Sequence, residues 1–146
     1  TAQALGQAGA INQQINASTI VNVVSKDKIR ELPDQNAAET VGRISGIYIQ
    51  RDAGEGQQAV VRGLAPRFNN VTINGQRIPS TDANDRSVDL SMISPSMLSG
   101  IEVYKSARPD QDGDAIGGTV NFLFRKSTED PEISINAPTC YNGIMK

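Results

Sequence analysis

Apolar residues along this chain come in short clusters, each broken within a few positions by Gly, Asn, Asp or Pro. Thr19 to Val24 reads TIVNVV, and its β-branched content predicts a first strand. The residues before it, Thr1 to Ala17, are rich in Ala, Gln, Gly and Asn and predict a flexible lead-in with at most one frayed helical turn. Ser25 can cap a short helix carrying Ile29 and Leu32, which Pro33 stops. Asp34 can cap a second helix whose Ala37, Ala38, Val41 and Ile44 recur at helical spacing, with Gly46 ending it.

Beyond Gly46 the period shortens. Ile47 to Gln50 predicts a strand, Arg51 to Gln58 a glycine-marked loop, and Ala59 to Arg62 a further strand. Val71 to Ile73 and Gln76 to Ile78 flank Asn74-Gly75, and Asn-Gly supplies the two positive φ angles of a tight hairpin turn. Pro79 to Ser87 is a polar loop. Leu90 and Ile93 suggest a helical turn, Ser94-Pro95 a helix start, and Gly100 its end. Ile101 to Tyr104 then forms a strand, followed by an Asp- and Gly-rich loop. Gly117-Gly118 opens a last strand, Thr119 to Phe124, where adjacent glycines point to positive φ or close backbone approach.

The order β-α-α-β-β-hairpin-α-β-β predicts an α+β fold: a small mixed sheet of short strands with two or three short helices. Residues 1–17 read as the lead-in, 18–126 as one domain, and 127–146 as a linker, since its composition changes after Lys126.

Composition narrows the chemistry. The chain has 146 residues, no His and a single Cys, Cys140, so it lacks the commonest general base and cannot form an internal disulfide. A net charge of −2 from 14 basic and 16 acidic residues gives no footprint for nucleic acid. Aromatic residues make up only 4%, which is thin for a self-sufficient core. Asp110, Asp112 and Asp114 alternate like a calcium loop, but Ala115 stands where the pattern wants Gly and Asn121 where it wants Glu. A polar turn is the better reading. Ser25-Lys26 and Lys126-Ser127 lack the surroundings of a nucleophile, and Gly54-x-Gly56 is too short for a phosphate loop. No catalytic residue, metal or cofactor is expected.

The blocks PDQNAAETVGRISGIYIQR, GQQAVVRGL, VTINGQRIP, SGIEVYK and GDAIGGTVNF occur in this order between Pro33 and Phe122. Together they resemble the plug domain of TonB-dependent outer-membrane receptors. The PDQNAAE and PDQDGDAIGG segments look like the receptors of Bacteroidetes and of Xanthomonas- and Caulobacter-like proteobacteria.

The resemblance implies no enzyme but a folded cork inside a β-barrel, in the outer membrane and facing the periplasm. It would gate active uptake of a small solute, such as a siderophore, cobalamin, oligosaccharide or peptide. The implied partners are the chain's own C-terminal barrel, whose first strand would begin within 127–146, near Glu132 to Ile135, and TonB through an upstream N-terminal segment. By the same resemblance, Arg62 and Lys105, with Arg108 as a rival, would face carboxylates of the barrel wall. Arg67, Phe68, Asn69, Thr81, Asp82, Asn84 and Arg86, on loops after Arg62-Gly63 and after the hairpin, would touch the solute. Gly63, Asn74, Gly75, Gly117 and Gly118 would be structural. The alternative is a free-standing periplasmic binding or adaptor module of the same ancestry.

Overall fold

The computed structural model describes residues 6–17, 20–31, 34, 36–80, 84–106 and 113–126. Leu32, Pro33, Thr81, Asp82, Arg108, Asp110, Asp112 and the segment 127–146 lie outside the described residues.

Ten residues, α1 (Gln7–Asn16), form a helix where one turn was expected. Its contacts explain the extra length. Gln14 Nε2 donates to the Val23 carbonyl (3.1 Å) and Gln13 Nε2 to Glu102 Oε1 (2.5 Å), so tertiary docking supports a sequence with little intrinsic drive. Strand β1 (Val21–Ser25) follows, then α2 (Lys26–Arg30), capped by Ser25 Oγ accepting from the Lys28 amide. Helix α3 (Ala37–Gly42) is capped by Asn36, not Asp34. Asp34 instead reaches along the helix, accepting from Thr40 Oγ1 at 3.1 Å and from both Nε and Nη2 of Arg43. The helix stops at Gly42, short of Gly46, which sits at φ +80° in the following turn.

The expected loop at Arg51 to Gln58 is mostly strand. β2 (Ile47–Asp52) and β3 (Glu55–Val61) form a hairpin whose turn is only Ala53-Gly54, at φ +50° and +91°. A short 3₁₀ turn (Pro66–Phe68) leads into β4 (Asn69–Ile73) and β5 (Gln76–Arg77), joined by Asn74-Gly75 at φ +50° and +83°. Leu90 and Ile93 are buried in an irregular segment, and Ser94-Pro95 starts a 3₁₀ turn (Pro95–Met97). Gly100 ends no helix: it lies inside β6 (Leu98–Tyr104), next to a bulge at Ser99. The last described strand is β7 (Gly118–Phe124).

Among the described residues, β1-β6-β7-β4-β5 make one sheet and β2-β3 a second, smaller one. Only β4 and β7 pair in parallel, so the larger sheet is mixed. Its inner face presents Ile101, Val103, Val120, Phe122 and Val71 to a core completed by α2, α3, the β2-β3 hairpin and the segment around Leu90. That segment is stitched down by Leu90 N to Gln57 O (2.7 Å) and Ala37 N to Ile93 O (2.9 Å).

The outer face is polar. Thr72 Oγ1 donates to Asn121 Oδ1 (2.9 Å), Asn121 Nδ2 to Glu102 Oε2 (3.0 Å), and Tyr104 Oη to the same Glu102 oxygen (3.0 Å). Glu102 is thus a buried carboxylate held by neutral donors from two strands and α1. No helix among the described residues is long and apolar enough to cross a membrane, which says nothing of a β-barrel.

Phe122 is the largest fully buried side chain and touches the centre of the core. Phe122→Ala should cost about 3–5 kcal/mol, a large share of a small domain's stability. Urea unfolding followed by far-ultraviolet circular dichroism will measure it.

Candidate functional site

Strand register carries three loops to one end of the larger sheet. Asn69 opposes Gly118, Val21 opposes Tyr104, and β5 runs back so that Ile78 N donates to Val71 O (3.0 Å). The segment after β3, the loop after β5 and both ends of the β6–β7 connection therefore meet there. Asn74-Gly75 lies at the opposite end, where Asn74 Oδ1 accepts from the Phe124 amide (3.0 Å).

Arg62 is not on a strand. It sits past β3 at φ +56°, followed by Gly63 at φ +76°. A left-handed Arg is strained, and two contacts hold it. Its amide donates to Gly46 O (3.0 Å) and its Nη1 to Lys105 O (2.9 Å). Lys105 in turn pairs its amide with Ile20 O (3.2 Å) and runs its side chain past Gly46. The structure thus brings Arg62 and Lys105 together, although 43 residues separate them.

Space at the junction is tight. A Cβ on Gly118, which has φ +150°, would lie 2.6 Å from Tyr104 O, and one on Gly117 would lie 2.0 Å from Asn69 Oδ1. Asn69 is buried, and its Nδ2 donates to Ala59 O (2.8 Å), tying β4 to β3. That places Asn69 inside the fold rather than on its surface. Gly117 N closes the junction by donating to Phe68 O (3.0 Å).

The exposed rim carries the charges. Arg67 stacks over the Phe68 ring at 5.0 Å. Asp85 accepts from Ser87 Oγ (2.8 Å) and from the Ser87 amide (3.3 Å), and Ser87 Oγ also accepts from Gln58 Nε2 (2.8 Å). The Ser87 hydroxyl bond, helped by backbone amides and the Arg67 charge, holds the Asp85 carboxyl below its ordinary range. Asp114 bridges two loops: its Oδ2 lies 2.5 Å from Arg86 Nη2 and 3.8 Å from Arg77 Nη1. Asn84 is exposed on the same loop. Sequence reasoning passed over Arg77, Asp85 and the pairing of Asp114. The hairpin register could have placed Arg77, but the Asp114 contact needs the parallel β4-β7 pairing.

Two outcomes follow. Asn69→Ala leaves the Ala59 carbonyl without its donor and should cost about 1–3 kcal/mol in denaturant melts. The depressed Asp85 carboxyl stabilises its loop fully above the ordinary carboxylate value, and that contribution is lost as pH falls through the lower folded value. Ser87 amide protection from exchange should drop over that acidic window and stay flat above it.

The TonB-dependent Receptor Plug Domain model matches residues 13–119. The vitamin B12 transporter BtuB of Photobacterium profundum is 32% identical over 110 residues, covering 74% of this chain and 18% of that protein. The Acinetobacter baumannii protein named "Probable TonB-dependent siderophore receptor PirA" is 25% identical over 138 residues, covering 84% of this chain and 18% of that protein. The chain therefore spans less than a fifth of the length of these two relatives. Among solved structures, the unliganded ferric citrate transporter FecA superposes with a TM-score of 0.67 at 22% identity, covering 86% of this chain and 20% of that one. The siderophore receptor PirA of Pseudomonas aeruginosa gives a TM-score of 0.57 at 22% identity, covering 77% and 19%. These structures share its α+β fold of short strands and few helices. With its family model matched over most of its length, the chain belongs to the plug domains of TonB-dependent receptors.

Proposed function

We propose that this chain is the gating and solute-sensing plug of an outer-membrane transporter. It sits inside the lumen of its own C-terminal β-barrel, faces the periplasm, and answers to TonB through a segment upstream of α1. The observation that carries this reading is the family match over residues 13–119, in relatives named as transporters and receptors rather than enzymes. The convergence of three polar loops at one sheet end supports solute sensing there. Relatives named for vitamin B12 and for siderophores favour cobalamin or a siderophore over an oligosaccharide or peptide. No observation favours a free-standing module, and the relatives matched are named as transporters and receptors. A narrower kinship with Bacteroidetes or Xanthomonas- and Caulobacter-like receptors has the PDQNAAE and PDQDGDAIGG segments for it. The organisms of the relatives stand against it.

Within this role Arg62 and Lys105 are the contacts to carboxylates of the barrel wall, with Arg108 a further candidate. Arg62 spends Nη1 on Lys105 O, and the rest of its planar fork can meet a wall carboxylate. Arg67, Phe68, Asn84 and Arg86 form the solute-facing rim, and Thr81 and Asp82 are further candidate contacts to the solute. The exposed, charged and amide-rich loops suit a hydrated lumen, where hydrogen bonds and water can hold a domain that must later be displaced.

Deleting residues 20–126 from the parent gene should leave a barrel that leaks small solutes and has lost energised uptake. A barrel that neither leaks nor loses uptake overturns the reading. Arg62→Ala should raise leak in the intact receptor while the isolated chain melts within about 1 kcal/mol of the parent, because only one exposed hydrogen bond is lost.

A further inference from the structure

We propose that the hollow between the hairpin and the loop after it seats a carboxylate-bearing solute, with Asp114 occupying its guanidiniums until the solute displaces it. The inference rests on the reading that this end of the sheet faces the solute. The hollow has a volume of about 320 Å³ and is lined by Arg77, Ile78, Pro79, Ser80 and Arg86. That is the lower end of small-molecule sites, enough for one charged arm of a larger solute.

Two arginines from different elements converge on one side chain. A single oxygen, Asp114 Oδ2, serves both Arg86 Nη2 and Arg77 Nη1. A guanidinium presents five donors in a fork that matches two carboxylate oxygens, so this one-oxygen contact falls short of what Arg86 can make. Asp85, the other described carboxylate on these loops, is not a competitor, because Ser87 holds it through both hydroxyl and amide. Ile78 and Pro79 give the hollow an apolar wall against which a solute's carbon frame can rest.

Exposure decides that Asp114 can be exchanged. The side chains of Arg86, Arg77 and Asp114 are 53%, 41% and 55% exposed, and ion pairs of that kind hold weakly. A solute bringing two carboxylates can engage both guanidiniums and release Asp114 to water. Asp114 thereby keeps the arginines occupied and excludes weak monoanions, a form of selection by competition.

Succinate, titrated into the 146-residue chain and followed by amide chemical shifts, is the test, with the neutral succinamide as its control. Succinate should shift the amides of Arg77, Arg86 and Asp114, more weakly as salt is raised, and succinamide should not. Asp114→Asn should tighten succinate binding, and Arg86→Gln should weaken it, each by up to about fivefold. Arg86→Lys should recover part of the loss, and all variants should melt with the parent, since these side chains are exposed. Equal shifts from succinate and succinamide, or unchanged or weaker succinate binding in Asp114→Asn, would overturn the proposal. The titration uses no barrel, so its failure removes the solute class and leaves gating to be judged separately by the leak assay.

Discussion

The parallel pairing of β4 with β7 is the constraint on which the remaining geometry depends. It joins residues about 50 positions apart, Asn69 with Gly118 through Ile73 with Phe122. Parallel partners cannot be joined by a tight turn, so the connection must travel, and here it includes β5, the buried segment around Leu90 and β6. The pairing fixes which loops share an end of the sheet. It also explains the glycines: the approach of Tyr104 O and Asn69 Oδ1 to positions 118 and 117 leaves no room for a side chain.

Sheet chemistry then splits by face. One face is a conventional core of Ile, Val, Leu and Phe122, sealed by two short helices and a hairpin. The other is threaded by hydrogen bonds through Thr72, Asn121, Glu102 and Tyr104, with α1 laid over Glu102. Two more oxygens on that face, Asn70 Oδ1 and Thr119 Oγ1, are buried without a hydrogen-bond partner among the described residues, and buried water commonly serves such groups. Both are neighbours in register. The domain is thus held by an apolar core on one face of the sheet and by a hydrogen-bonded network on the other.

Arg62 links the two themes. Its left-handed backbone is a local cost, and it persists because Gly46 O and Lys105 O fix the amide and guanidinium at once. The residue that the family resemblance marks for the barrel wall is therefore also a clasp within the chain. It ties the end of β3 to the exit of β6. At the rim, the pairing of Arg86 with Asp114 ties the loop after the hairpin to the start of the approach to β7. Backbone geometry and surface charge thus act on the same connection from its two ends.

Local pattern determined much of this protein. β-branched content marked β1, Gly117-Gly118 marked the entrance of β7, the Ala37–Val41 spacing marked the buried face of α3, and Asn74-Gly75 marked its hairpin, because each signal acts within a few residues. The ordered blocks gave the family, and with it the α+β class. Other features waited for tertiary contact. The glycines of Arg51 to Gln58 read as loop, yet the Ala53-Gly54 turn and packing of Ile49 and Ala59 make a hairpin. Gly100 read as a helix end, yet pairing with β1 and β7 holds it in a strand. Helix α1 depends on Glu102 and Val23, far away or on another element. The meeting of Arg62 with Lys105, and of Arg77 and Arg86 with Asp114, followed from strand order alone. No one-dimensional period encodes strand order, because it is settled by which faces can be buried together and where backbones can approach.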